Sequence, residues 1–206
     1  MKKLFCIISL LACLSLAGTV QADLFSGFDS NAEGWTTEGA TAPTHVASGG
    51  NPGGYIKAYD NAGTWWRFVS PNSWDGDWSG YSNGTVQFDL QPLYNNANQY
   101  SHYVEIWSGS NYMWWEQNIH PKKGEWTHFA VQLTDANFTE VGGTFTEILQ
   151  NVTALKILGD IVNGSGTQDT TGLDNVRVSA LVVPLPGTVW LLGAGLLGLA
   201  SLRRRR

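Results

Sequence analysis

Apolar and polar residues alternate with a period of two over short runs through the middle of the chain, the spacing of strands that lay one face on a core. In residues 85–90, Val86, Phe88 and Leu90 share a face; in residues 103–107, Val104 and Ile106 do; in residues 127–133, Phe129, Val131 and Leu133 do. Residues 155–157 and 174–178 continue the pattern. Clusters of Gly, Asn, Asp, Ser and Pro at 48–54, 70–84, 95–98, 121–124 and 163–172 separate the runs as turns or loops. Such spacing predicts an all-β domain, an antiparallel β-sandwich. A helical turn is expected only at 145–151, where Ile148 and Leu149 sit beside Glu147.

The two ends break this pattern. Residues 1–22 begin with Lys2 and Lys3, run apolar from Leu4 to Ala17 and finish on small residues before Asp23, which reads as a secretory signal peptide and predicts a signal helix. Residues 181–206 carry an apolar stretch without charge, then Arg203, Arg204, Arg205 and Arg206. A helix over 187–202 would be roughly 24 Å long against a hydrocarbon core of about 30 Å, so a transmembrane helix is predicted that needs Trp190 and the arginines as anchors. The arginine cluster keeps the C-terminus cytoplasmic and puts the domain outside. Residues 23–180 remain, a length that suits one domain.

Charge then removes some classes of partner. All 17 Asp and Glu fall in residues 23–180, with only Lys57, Arg67, Lys122, Lys123, Lys156 and Arg177 as cations, a net charge of −11. No nucleic acid is expected as a partner, and contact with a membrane only through the C-terminal helix before processing. Both cysteines, Cys6 and Cys13, lie in the leader, so the domain has no disulfide, thiol nucleophile or cysteine metal site.

At the C-terminus, Val183-Pro184-Leu185-Pro186, a short apolar helix and a terminal basic cluster resemble the PEP-CTERM sorting signal of bacterial exosortase substrates, with Leu185 where the name-giving motif has Glu. The resemblance implies signal peptidase and exosortase as partners during export, transient anchoring, and processing near Pro184 to Pro186 on the way to the cell surface or the medium. Within the domain, the order of Trp65-Trp66-Arg67-Phe68-Val69-Ser70-Pro71, the Gly76-Asp77 turn, Tyr81, Gly84 and the strand at 85–90 resembles the start of a laminin B domain, or domain IV. Glu125-Trp126-Thr127, residues 146–157 and residues 172–178 fit its later half. That family implies a jelly-roll β-sandwich of the galactose-binding type with an extracellular, non-enzymatic role.

No catalytic residue stands out. His45, His102, His120 and His128 lack metal-binding spacing, and Asp75 and Asp77 lie in a turn whose backbone such residues ordinarily hold. The aromatic excess is more informative, because sugar rings stack their C–H faces on such side chains. Trp65 and Trp66 are consecutive, as are Trp114 and Trp115, so one of each pair points to the core. If Val104 and Ile106 pack inside, then Tyr103, Glu105 and Trp107 line an outer strip for a glycan. Trp115 is taken as its extension, provided the next strand is a hairpin partner across Gly109-Ser110-Asn111. The competing reading is that a loop covers that face and the aromatics make a second small core. In sandwiches of this type a loop carboxylate often meets an Asp of the closing strand. Asp29, Glu33 and Asp174 therefore either hold one structural Ca²⁺ or cap turns. The expected function is a secreted, surface-sorted binding or structural module of the extracellular matrix, associated with exopolysaccharide or biofilm. A jelly-roll carbohydrate-active enzyme, a glycoside hydrolase or lyase, is the alternative.

Overall fold

The computed structural model describes residues 21–61, 63–98, 102–162 and 166–181. The expected signal peptide up to residue 20 and the tail from residue 182, including Val183, Pro184, Leu185, Pro186 and Arg203 to Arg206, lie outside these residues. Among the described residues no helix is long and apolar enough to cross a membrane.

Two six-stranded antiparallel sheets form a jelly-roll sandwich. In the first, β3 (Thr44–Gly50), β4 (Gly53–Asp60), β12 (Gly166–Ser179), β6 (Thr85–Pro92) and β9 (Thr127–Gln132) follow one another, and β1 (Leu24–Ser26) adds to β12. The second orders β10 (Thr139–Val141), β8 (Asn111–Trp115), β7 (Val104–Ser108), β11 (Ala154–Leu158), β5 (Arg67–Val69) and β2 (Thr36–Glu38). The helix α1 (Phe145–Gln150) opens with a capping box, in which the Thr144 side chain accepts from the Glu147 N–H and Glu147 reaches back to the Thr144 N–H. Its apolar Phe145, Ile148 and Leu149 are buried, which is why this segment is helical where the rest of the chain pairs as strands.

The inner faces are those the alternation marks. Val86, Phe88 and Leu90 meet Phe129 and Val131 across β6 and β9, and the Phe88 and Phe129 rings stack at 5.1 Å. Phe68, Val104, Ile106, Met113, Leu155 and Ile157 face them from the second sheet, all fully buried. Each such side chain contributes about 1.5 to 3 kcal/mol by leaving water. Trp35, Trp74 and Trp78 are buried as well, filling one end of the core with edge-to-face contacts such as Trp35 on Trp74 at 5.4 Å.

Two loop expectations need correction. The cluster at 163–172 is not a loop over its whole length, because β12 begins at Gly166. Its residues are held in strand form by β4 on one side and β6 on the other, and this pairing overrides their weak intrinsic preference. The cluster at 48–54 shrinks to a tight connection between Gly50 and Gly53, which pair directly.

Candidate functional site

The outer face of the second sheet gathers a carboxylate, three cationic or imidazole groups and several aromatic rings. Glu105 of β7 lies at its centre and is only 3% exposed. Its Oε1 accepts from Arg67 at 2.6 Å and faces His102 Nδ1 at 3.3 Å, and its Oε2 accepts from the Trp107 indole N–H at 2.8 Å. Those partners come from β5, from the segment before β7 and from β7 itself, so one buried charge ties separate stretches of chain into one surface. A buried carboxylate without such partners would lose several kcal/mol of solvation.

The rings beside it are stacked in pairs. Trp107 and its cross-strand partner Tyr112 lie 4.4 Å apart and nearly parallel, and Trp114 stacks on His102 at 4.0 Å. The Lys156 ammonium sits 4.1 Å over the Trp107 ring and pairs with Glu38 at 2.5 Å. Because β7 lies between β8 and β11, Tyr112 and Lys156 cover opposite faces of Trp107, which turns an edge to solvent. Trp65 differs. It stands two residues before β5, next to the buried Trp66, and is 47% exposed. Beside it the Arg67 Nε is buried without a hydrogen-bond partner.

The strip expected from the sequence is therefore corrected in two of its four members. Glu105 and Trp107 lie on the outer face, but Tyr103 does not. It stands just before β7, where the backbone bends, and is fully buried with its hydroxyl donating to the Ile119 carbonyl at 2.5 Å and its ring 4.7 Å from Phe129. Burial pushes its phenol pKa well above the usual tyrosine range. Trp115 faces inward and packs against the core, while Trp114 and Tyr112 take the outer positions. The cause is the hairpin. Ser108 pairs with Asn111 across a two-residue turn, with Gly109 at φ 61° in the left-handed region such a turn needs first. A three-residue connection would set Trp115 opposite Glu105, and the observed turn sets Trp114 there, so a slip of one residue exchanges the faces. Glu105 also differs in role, since its oxygens serve Arg67, His102 and Trp107 and it organises the surface from beneath. Sequence reasoning missed Arg67, Lys156, His102, Tyr112 and Trp114; counting across a Gly-Ser turn would have found the last two.

The predicted calcium ligands lie near the outer face of the first sheet. Asp174 of β12 is fully buried opposite Asp89 of β6. Its Oδ2 accepts from the Asn51 N–H at 2.6 Å and its Oδ1 from the Asn175 N–H at 2.7 Å. Burial pushes its pKa up to about 6, Asp89 and Asp29 add to the rise, and the two backbone N–H groups oppose it. Asp89 in turn accepts from Asn175 at 2.8 Å and faces His128 at 2.7 Å. Glu33 closes its own loop, accepting from the Phe28 N–H at 2.7 Å. Asp29 is exposed near Asp174. Among the described residues no three His, Cys, Asp or Glu side chains are arranged to hold a metal ion. One oxygen of Glu33 and both of Asp174 accept from backbone N–H groups.

Residues 182–206 match the PEP-CTERM protein-sorting motif. A PEP-CTERM tail marks a chain for export and exosortase sorting to the cell surface or beyond. The sandwich is similar to the L4b domain of human laminin alpha-2, with 12% identity and a TM-score of 0.58 over 80% of this chain and 100% of that one. It is also similar to the family 11 carbohydrate-binding module of the cellulosomal cellulase Lic26A-Cel5E of Clostridium thermocellum, at 16% identity and a TM-score of 0.55 over 82% of this chain and 100% of that one. An exo-beta-agarase shares the fold at 13% identity and a TM-score of 0.55, over 82% of this chain but 26% of that enzyme. At these identities the likeness is one of fold. No curated protein sequence matches the chain.

Proposed function

We propose that this PEP-CTERM chain is an exported, non-enzymatic glycan-binding module that holds exopolysaccharide at the cell surface or in the extracellular matrix, including that of biofilms. The observation that carries the reading is the rigid face that buried Glu105 organises, with the rings of Trp107, Tyr112 and Trp114 upon it and Trp65 exposed just before β5. Trp65 offers a flat apolar face for a sugar ring, Arg67 and Lys156 offer donors to hydroxyls or ring substituents, and the edges of Trp107 and Trp114 border the track. Little side-chain entropy is lost on binding, since Arg67, Lys156 and the rings are already fixed by one another. Both carboxylates of this face, Glu105 and Glu38, are ion-paired, an arrangement suited to holding a ligand and not to passing protons. The sandwich-type carbohydrate-binding module and the laminin domain of similar fold support the same reading.

A glycan array probed with the secreted chain tests it. The wild type binds a subset of the oligosaccharides, and Trp65→Ala lowers that binding about tenfold while leaving the melting temperature within about 2 °C. Wild-type binding to nothing on the array, or full binding by Trp65→Ala, contradicts the site. Release of shortened sugars from a bound polysaccharide would favour the enzyme instead.

A further inference from the structure

The outer face of the first sheet holds a cavity of about 340 Å³ that the glycan face of the second sheet does not use. Lys57 and Tyr59 of β4 and Thr170 of β12 line it, Thr41 and Thr44 close one side, and Tyr94 lines it too, 52% exposed. We infer that this cavity is a second ligand site, one that takes a sugar residue carrying an anionic group, a carboxylate or a sulfate.

Charge placement carries the inference. Four cations stand on the strands, and three are matched: Arg67 with Glu105, Lys156 with Glu38 and Arg177 with Asp23. Lys57 pairs with no carboxylate among the described residues, although the domain has 17 of them. Among the described residues no carboxylate lines the cavity either, and the charge that lines it is positive. A lone surface lysine is ordinary; this one lies in a concave site among hydroxyl groups. Its cross-strand neighbours are Thr44 on β3 and Gly172 on β12, neither of which can pair with its charge. A Cβ on Gly172 would stand 3.1 Å from the Tyr55 ring, so the space along β12 is shaped by rings and not by polar groups that would occupy Lys57.

The rest of the lining suits a sugar. Tyr59 and Tyr94 bring aromatic surface and hydroxyls, and Thr44 brings a further hydroxyl that can donate and accept. The volume is at the lower end of small-ligand sites, roughly 300 to 1,000 Å³. An ammonium is a compact point charge that meets a carboxylate or sulfate without demanding a planar fork, so the site accepts either anion.

The inference does not rest on the second-sheet site, and one experiment separates them. The full chain is run by affinity electrophoresis through gels containing alginate, dextran sulfate or unmodified dextran, which supply carboxylates, sulfates or neither. Alginate, dextran sulfate or both retard the wild type, and the response identifies the anion; dextran does not. Lys57→Gln weakens the retardation about tenfold, Lys57→Arg restores most of it, and Tyr94→Ala, an exposed position outside the strands, weakens it without loss of melting temperature. Trp65→Ala leaves it unchanged. Absence of retardation by both polyanions, equal retardation by dextran, or wild-type retardation of Lys57→Gln and Tyr94→Ala together overturns the inference.

Discussion

The two outer faces of the sandwich spend their charged and aromatic residues in opposite ways. On the second sheet Arg67, Lys156, Glu38 and Glu105 are paired, and Trp107, Tyr112, Trp114 and His102 stack on one another, so the surface is fixed before any ligand arrives. On the first sheet Asn51, Asn175 and His128 surround Asp89 and Asp174, and Lys57 lines a cavity without a carboxylate partner among the described residues. The comparison shows that period-two alternation says which residues face out and nothing about whether they are free. Trp107 faces out and has both ring faces covered; Trp65 lies outside a strand and has much of its surface open.

Removing the hub of the second face is the largest break in that comparison. Glu105→Ala strands Arg67, His102 and the Trp107 indole together, and a loss of about 3 to 5 kcal/mol in urea unfolding is expected. A loss below about 1 kcal/mol would mean that solvent already satisfies those groups.

The first face is set apart by pH. The Asp174 pKa is raised to about 6 in the folded chain, above its ordinary value of 3.8, so the folded state binds the proton more tightly than the unfolded one. Its stabilising effect is therefore complete below about pH 3.8 and is lost as pH rises through 6, worth about 2 to 3 kcal/mol. Asp160, raised to about 6, and Asp169, raised to about 7, both first by burial, act in the same direction and carry the decline toward neutral pH. Unfolding free energy measured from pH 4 to 8 should fall; a rise across that window would contradict the burial of these carboxyls.

A smaller effect sharpens the role of Trp107. Trp107→Ala loses the stack on Tyr112 and the contact with the Lys156 ammonium, and about 2 kcal/mol of stability should go with them. Thermal unfolding measures it, and an unchanged melting temperature with a specific loss of glycan binding would make Trp107 a ligand platform instead. The smallest expected effect concerns calcium. A structural Ca²⁺ held by Asp29, Glu33 and Asp174 predicts a fall in melting temperature on addition of EDTA, whereas an unchanged melting temperature leaves these carboxylates as turn caps.

Much of the fold was legible because burial imposes a period that a reader can count. The alternation around Val86, Phe88 and Leu90, around Val104 and Ile106, and around Phe129 and Val131 follows directly from facing a core. The helix at Phe145–Gln150 was legible because Thr144 and Glu147 form a local signal. The candidate site was only half legible. Glu105 and Trp107 follow from parity, but Trp114 against Trp115 depends on a one-residue difference in hairpin loop length, and Tyr103 escapes its parity because the strand starts one residue after it. Arg67 and Lys156 come to Glu105 and Trp107 from other strands, and no local spacing reveals which distant cation a carboxylate will meet.

The central claim, that glycans bind the pre-organised face of the second sheet, is tested most directly by following indole N–H signals in a ¹⁵N spectrum while the strongest array oligosaccharide is added. The account predicts that the signals of Trp65, Trp107 and Trp114 shift with a common affinity while those of buried Trp66 and Trp78 stay still. Shifts confined to Trp126, which packs on Tyr55 at the outer face of the first sheet, would contradict it.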